Sequence, residues 1–551
     1  MFQLLANGSR RLSRNSRVVQ TLFRSNTTFI NTARSFTTNN TDMSDQLYLT
    51  PVNPATGQVI SDIKIDTRST LEEKYNRVSN FKETWRNTSQ KDRATSIIKF
   101  RDMLTDRIDS LATDLTNETG KPIVQAKNEI KAVIERINFF LFNFSECLQE
   151  RVVRTTEKFR ESLVYEPLGV VGNISAWNYP YFIGLNVIVP ALLTGNCVLY
   201  KPSEYSSITG INIMSMLHEA GIPQDAFQVV LGKALISKSM LALPLDGLFF
   251  TGSYQTGKSI SETLAGRMVK TQLELGGKDA AYVNNDADIG HAIASLADGA
   301  MYNTGQSCCS VERIYVHQDV YKNFVEGLVK EISTYFLGFD PKTPATYFGP
   351  LTRGQPQVEH LQRLIANATT RGATIALGGN AVPNAPGSFF SPTVLTDVHH
   401  GMDIQKEELF GPVVTVQSVT GPEEAVQLMN DTPFGLTGSV YTKDQDVASY
   451  IADNSNTGTV YWNACDRVSP YLPWSGRGHS GIGSTLGVEG ILTFLKPKAR
   501  HYISPQPNNF FGQASNSGIV PTATPSQDNI EQFVQDTHDN MDTLENAEEK
   551  K

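Results

Sequence analysis

Cysteine is scarce: Cys147, Cys197, Cys308, Cys309 and Cys465 are the five in a chain of 551 residues. So sparse and odd a set argues against a disulfide framework and for a reducing compartment. Long apolar runs are also lacking. The longest, Phe182 to Tyr200, is broken by Asn186, Pro190, Gly195 and Asn196, short of the ~18 uninterrupted apolar residues of a membrane span. Positive charge is missing on the scale of a domain: residues 1–41 carry six Arg and no acid, residues 501–551 carry eight acids against two Lys, and the whole chain stands at −8. No basic domain remains for nucleic acid, and no metal site is expected. With 40% apolar residues, 41 Gly and 26 Pro, a collagen-like chain, a coiled coil and a wholly disordered protein are excluded. What remains is a soluble globular protein, long enough for two or three domains at ~150 residues each.

Residues 1–44 have the makeup of a mitochondrial transit peptide. Arg10, Arg14, Arg17 and Arg24 follow helical spacing beside an apolar stripe of Leu5, Leu12, Val19 and Leu22, as an amphipathic import helix requires. A matrix destination is therefore expected, and a start at Met43 would give a shorter cytosolic form. From Leu47 helical and extended patterns alternate, with no internal repeat. Residues 69–149 read as three helices, among them Ile97 to Asp109 and Lys121 to Cys147. Residues 151–166 read as a polar two-strand excursion. Short unalternating apolar runs then recur between helical stretches: Val170–Ile174, Cys197–Tyr200, Ala226–Leu231, Gly247–Phe250 and Ala280–Val283. This is the pattern of a parallel sheet covered on both faces. A second alternating block runs from Asp288 to about Ser480. Residues 504–527 hold no charge and read as a linker, and the acidic end of the chain as a solvated tail.

Two motifs point in misleading directions. Gly252-Ser-Tyr-Gln-Thr-Gly257-Lys258-Ser259 matches a phosphate-cradling loop between a strand and a helix. No apolar strand ending in a magnesium-binding Asp follows it, so close approach of the backbone to a dinucleotide is the preferred reading. Gly476-Arg-Gly478-His-Ser-Gly481 matches G-x-G-x-x-G but follows Pro473-Trp474-Ser475 rather than a strand, and reads as a structural turn. More informative is Cys308, in Asn303-Thr-Gly-Gln-Ser-Cys308-Cys309-Ser-Val-Glu-Arg313, where a polar turn would expose a thiol to a substrate. Alone, a cysteine is more often an inert buried side chain.

Its company changes the reading. Trp177-Asn178-Tyr179-Pro180, Lys201-Pro-Ser-Glu204, Phe250-Thr-Gly252-Ser253, Glu274-Leu-Gly-Gly277-Lys278, Gly305-Gln-Ser-Cys308, Glu408-Leu-Phe410-Gly-Pro412 and Pro473-Trp-Ser-Gly476 stand in that order. Together they resemble the aldehyde dehydrogenase superfamily across roughly residues 48–503. The resemblance implies an α/β fold in three parts. Residues 45–150 and 167–277 form a doubly wound parallel-sheet cofactor domain, and residues 278–484 an α/β catalytic domain. Residues 151–166 and 485–503, with a strand near 496–503, form a small β oligomerisation arm that bridges subunits of a homodimer or homotetramer. It implies Cys308 as nucleophile, Glu274 as general base and Asn178 as oxyanion donor. Trp177, Lys201, Glu204, Gly252, Ser253, Glu408 and Phe410 resemble the family's cofactor contacts.

The implied reaction is oxidation of a small aldehyde to the acid with reduction of NAD, through a thiohemiacetal and a thioester hydrolysed by water that Glu274 activates. NAD is favoured over NADP because Glu204 would repel a 2′-phosphate. Acyl transfer to coenzyme A is a rival by the same thioester, and an inactive scaffold is a second; Glu274 argues against the first and the intact trio against the other. Tyr179, Tyr471 and Trp474 suggest an aromatic substrate pocket, with Arg467 available to a charged substrate. Two departures stand near the end of the domain. Arg477-Gly478-His479 replaces the Lys usual there, and Ser484-Thr485 the usual Arg-Glu.

Overall fold

Strand edges, more than strand interiors, organise this chain. The computed structural model describes residues 47–503; residues 1–44, expected to be a transit peptide, and the expected linker and tail from residue 504 lie outside the described residues.

The first sheet has six strands in the order Gly481–Ile482, Lys270–Glu274, Gly247–Thr251, Val170–Ile174, Cys197–Lys201 and Phe227–Val229. All neighbours are parallel except the first pair. Val170–Ile174 and Cys197–Lys201 are buried at every position, the mark of a sheet covered on both faces. From Val170–Ile174 the chain steps to Cys197–Lys201 on one side and returns at Gly247–Thr251 on the other. Ligands of doubly wound sheets bind outside the carboxyl ends of the strands at such a reversal.

The second sheet has seven strands: Thr374–Leu377, Thr393–Thr396, Val413–Val419, Val311–His317, Asp279–Val283, Thr437–Tyr441 and Thr459–Trp462. Only the first pair is antiparallel. The expected boundary at 277–278 falls in the four-residue link between Glu274 and Asp279. The end of that block differs from expectation. Gly481–Ile482 already pairs with Leu273 and Glu274 of the first sheet, and the helix Gly487–Leu492 places Ile491 in the first core. Both lie with the cofactor-side sheet rather than in a catalytic block to 484 or an arm from 485. The replaced Lys and Arg-Glu positions do not loosen this return. It is held by backbone, with Leu275 N–H donating to Ser480 O at 2.9 Å, and His479 stacks on Tyr254 at 3.6 Å.

The arm is a three-stranded antiparallel sheet of Leu495–Ile503, Phe159–Pro167 and Arg151–Thr155. Over residues 68–147 there are four helices where three were expected: Arg68–Asn87, Gln90–Asp106, Ile108–Thr119 and Ile123–Cys147. The stretch Ile97 to Asp109 is not continuous. Arg107, at φ −106° and ψ 13°, ends one helix and starts the next, while the apolar stripe runs on in Leu104 and Leu111, both buried. No helix among the described residues is long and apolar enough to cross a membrane.

Candidate active site

Four of the motifs end up together because each follows a parallel strand of the first sheet. Asn178 lies just beyond Val170–Ile174, Lys201 ends Cys197–Lys201, Gly252 follows Gly247–Thr251 and Glu274 ends its own strand. Cys308 comes from the opposite side, on a turn before Val311–His317. That turn is entered through Asn303 and Thr304, both in the left-handed region at φ 53° and 59°, a conformation that persists only where the surroundings enforce it. Here Asn303 N–H donates to Gln125 Oε1 at 3.0 Å, and Asn303 Nδ2 donates to Asn178 O and Gln306 O, each at 3.1 Å. The Asn178 amide in turn donates to Gln306 O at 3.2 Å. The buried Asn178 is thus tied to the cysteine turn. No acceptor meets the Cys308 backbone N–H among the described residues.

Two cavities, of about 1100 and 1020 Å³, meet at this point, and Asn178 and Cys308 line both. Glu274, Trp474, Phe182 and Arg136 face the first. Trp177, Lys201, Glu204, Gly252, Ser253, Glu408 and Phe410 all face the second. Cys308, Glu274, Asn178 and the seven residues that resemble cofactor contacts thus each line one or both of these cavities.

The thiol of Cys308 is half-buried. Its hydrogen bond with Cys309 draws it down, but burial and the charges of Glu274, Asp279 and Glu408 outweigh that and hold it above its ordinary value. Cys309 is buried and donates to Asp466 at 2.9 Å, which removes it as a competing nucleophile. Burial pushes the Asp466 carboxyl up to about 7, against the hydrogen bond from Cys309. Glu274 is also raised by burial; the Trp474 indole, the Arg136 charge and Thr251 pull the other way.

The Leu275-Gly276-Gly277 link explains itself by distance. A side-chain carbon on Gly277 would come within 2.2 Å of the Cys308 carbonyl oxygen, and one on Gly276 within 2.5 Å of the Glu408 carboxylate. Gly277 N–H donates to Glu408 Oε1 at 3.0 Å. Behind it the buried pair Lys278 and Glu312, 2.6 Å apart, fixes the same loop, since Glu312 also accepts from the backbone N–H groups of Leu409 and Phe410. Phe410, at φ 50°, meets Trp177 edge-on at 5.6 Å.

The phosphate-loop reading of Gly252–Ser259 fails on geometry. The helix already begins at Tyr254, so Gly257 lies inside it, where a side-chain carbon would strike Leu275 at 2.4 Å; no loop is left to wrap a phosphate. Gly476–Gly481 is a turn, as expected. In the pocket, Tyr179 and Trp474 are wall residues and Arg467 is an exposed one. Tyr471 is not: it lies 64% exposed against Phe139. Sequence reasoning missed Arg136, Asp466 and the pairing of Trp474 with Glu274. Five cysteines are free, and no group of three metal-ligating side chains occurs among the described residues.

The second cavity suits a pyridine nucleotide. Lys201 is buried there with one acceptor, the Pro202 carbonyl, and Glu408 is a half-buried carboxyl that accepts from Gly277 N–H. Residues 42–499 match the model of the aldehyde dehydrogenase family. The chain is 32% identical over 448 residues to a succinate-semialdehyde dehydrogenase [NADP(+)] of Deinococcus radiodurans, covering 81% of this chain and 93% of that one. It is 32% identical over 425 residues to an aldehyde dehydrogenase of Aspergillus niger, covering 77% and 85%. Among solved structures, betaine aldehyde dehydrogenase of Staphylococcus aureus in complex with NAD+ superposes with a TM-score of 0.79 at 29% identity, covering 85% and 95%.

Proposed function

The chain belongs to the aldehyde dehydrogenase family, which oxidises aldehydes to acids with a pyridine nucleotide, and we propose that Cys308, Glu274 and Asn178 divide that chemistry here. The observation that carries the assignment is the position of Cys308 on the wall of both cavities. An aldehyde entering from the first cavity meets Cys308, whose thiol gives its proton to Glu274 in the same cavity, and the thiolate adds to the carbonyl carbon. The oxygen that becomes negative is stabilised by the Asn178 amide and the Cys308 backbone N–H; one such donor is worth ~3 kcal/mol in a preorganised site. Lys201, Glu204, Glu408 and Phe410 would hold a pyridine nucleotide in the second cavity, which would supply the acceptor for the hydride that leaves the tetrahedral carbon. Cys308 is left as a thioester, and Glu274, across the first cavity, takes a proton from water so that it attacks the acyl carbon. A carboxyl raised by burial is suited to that work.

The preferred cofactor is NAD, with Glu204 facing the adenosine ribose and disfavouring a 2′-phosphate; the relatives include enzymes named for either nucleotide. A clear preference for NADP in kcat/KM would refute this. The arm is proposed to bridge subunits, because its outer strands Arg151–Thr155 and Leu495–Ile503 are largely exposed and a small sheet needs a buried hydrophobic face or a packing partner for stability. A monodisperse monomer in light scattering would contradict it. Matrix import is proposed from the acid-free Arg segment. A reporter fused to residues 1–45 that stays in the cytosol would refute it.

The mechanism is tested by following nucleotide reduction with a panel of aldehydes. Cys308→Ala is expected to abolish turnover. Glu274→Gln is expected to retain a single-turnover burst and then stall as the thioester. Wild-type turnover in Cys308→Ala would end the proposal.

A further inference from the structure

Three arginines are buried among the described residues, and one differs from the others. A guanidinium carries five N–H donors. Arg93 uses its donors on the carbonyls of Leu193, Trp85, Arg86 and Thr88. Arg313 uses its donors on Lys278 O twice, Leu428 O, Met429 O and the Tyr315 hydroxyl. Arg136 is 5% exposed and has one acceptor, Asn186 Oδ1 at 3.2 Å, with no carboxylate partner among the described residues. It lines the cavity that also holds Cys308 and Glu274.

Of the carboxylates whose charge reaches Arg136, Glu129 and Glu274 are already engaged and Glu135 is exposed to solvent. Glu129 pairs with Lys121 and accepts from Tyr181 N–H, and Glu274 accepts from Trp474. The guanidinium is held flat by packing: it sits 3.8 Å over the Phe182 ring, Phe182 stacks on Tyr179, and Lys121 caps Tyr179 from the far side at 3.8 Å. The other cations of the cavity wall do not compete. Lys131 and Arg467 are exposed to solvent, and His291 Nε2 bonds the Asn463 carbonyl. None of the remaining Arg136 donors is among the buried side-chain atoms without a partner, so they open onto the cavity, where the oxygens of a ligand can complete them. Burial lowers Arg136 to about 10, which leaves it charged at neutral pH.

We infer that Arg136 docks a carboxylate at the far end of the aldehyde, so that the preferred substrates are carboxylated aldehydes, ω-oxo acids. A planar guanidinium fork matches a carboxylate in two parallel hydrogen bonds. This rests on the aldehyde oxidation proposed above and adds the class of substrate to it. Arg136 docks the end of the molecule away from the aldehyde, so its loss weakens binding of one class alone; its charge also holds Glu274 down, a loss that both classes share, so the site is read from the ratio between them.

Two measurements test this. The first compares kcat/KM for 4-oxobutanoate and for its uncharged counterpart pentanal, in wild type, Arg136→Gln and Arg136→Lys. The wild type is expected to prefer 4-oxobutanoate. In Arg136→Gln the ratio of kcat/KM for 4-oxobutanoate over pentanal is expected to fall roughly tenfold to a hundredfold, through the KM for 4-oxobutanoate, while any change in kcat through Glu274 is shared by both aldehydes; Arg136→Lys is expected to recover part of the ratio. The second needs no turnover: butanedioate is titrated into the enzyme with NAD in a calorimeter. Binding by wild type and its loss in Arg136→Gln support the site even if no aldehyde in the first assay is oxidised, a result that would instead count against the catalytic assignment. Equal wild-type activity on both aldehydes overturns the inference while leaving aldehyde oxidation standing. So does an equal fall for both aldehydes in Arg136→Gln with their ratio unchanged, which would mark a role through Glu274 or in folding alone. Should the variants fail to fold, the wild-type preference and wild-type butanedioate binding still decide.

Discussion

The indole N–H of Trp474 donates to Glu274 Oε1 at 2.8 Å, across 200 residues of sequence. The bond steadies the carboxylate form of a group that burial otherwise raises. Its removal therefore moves Glu274 further up, so that less of it is ionised at neutral pH. Trp474→Phe, which keeps the ring against the first core, is expected to shift the acidic limb of the kcat profile to higher pH and to lower kcat about tenfold at pH 7. A profile identical to wild type would show that the bond does not tune the base.

What the sequence revealed and what it hid divide along this contact. Four strands of the first sheet were legible because each is an unalternating apolar run between helical stretches, and Asn178, Lys201 and Gly252 stand at or just after the ends of such runs. Lys270–Glu274 is a mixed polar strand with no such signal, and Glu274 was picked out by the motif around it instead. Pairings made by tertiary packing leave no local trace: Trp474 with Glu274, and Cys309 with Asp466, 157 residues away. Arg136 was hidden for a different reason, since one cation on a long helix with mixed polar positions looks like a solvated face. The break at Arg107 escaped because the apolar stripe keeps its phase through it, and the return of Gly481–Ile482 to the first sheet escaped because a two-residue strand has no periodicity to read.

Gly277 is tolerated by no larger residue on distance alone. Gly277→Ala is expected to push the Cys308 carbonyl away and displace the nucleophile, costing at least about a hundredfold in kcat/KM, the scale of a misplacement near 1 Å. Circular dichroism and the oligomeric state are expected to be unchanged. Near wild-type kinetics would mean that the cysteine turn yields without functional consequence.

Lys278 and Glu312 are both buried, and breaking such a pair from one side strands a charge. Lys278→Met is expected to destabilise the protein by about 3–5 kcal/mol, read as a lowered midpoint in thermal unfolding. The double variant Lys278→Met/Glu312→Leu is expected to recover only part of this, because the Leu409 and Phe410 N–H groups then lose their acceptor. Full recovery would show that Glu312 serves the lysine alone and does not hold the Glu408 loop.

Burial, with the charge of Glu312, pushes the Glu408 carboxyl up to about 8, while the Gly277 N–H and Lys278 oppose the shift. Below that pH the group is neutral; above it, Glu408 is a carboxylate that accepts hydrogen bonds from ribose hydroxyls more strongly than the acid does. Cofactor binding that uses Glu408 in this way favours the ionised form, so affinity must rise as pH passes upward through about 8. Calorimetric titration of NAD between pH 6.5 and 9 is expected to show about a fivefold gain in wild type, the difference between a neutral and a charged acceptor. In Glu408→Gln, which accepts but does not ionise, the gain is expected to vanish. Were the same slope to persist in that variant, the titrating group would lie elsewhere in the cavity, and Glu408 would hold Gly277 in place rather than the ribose.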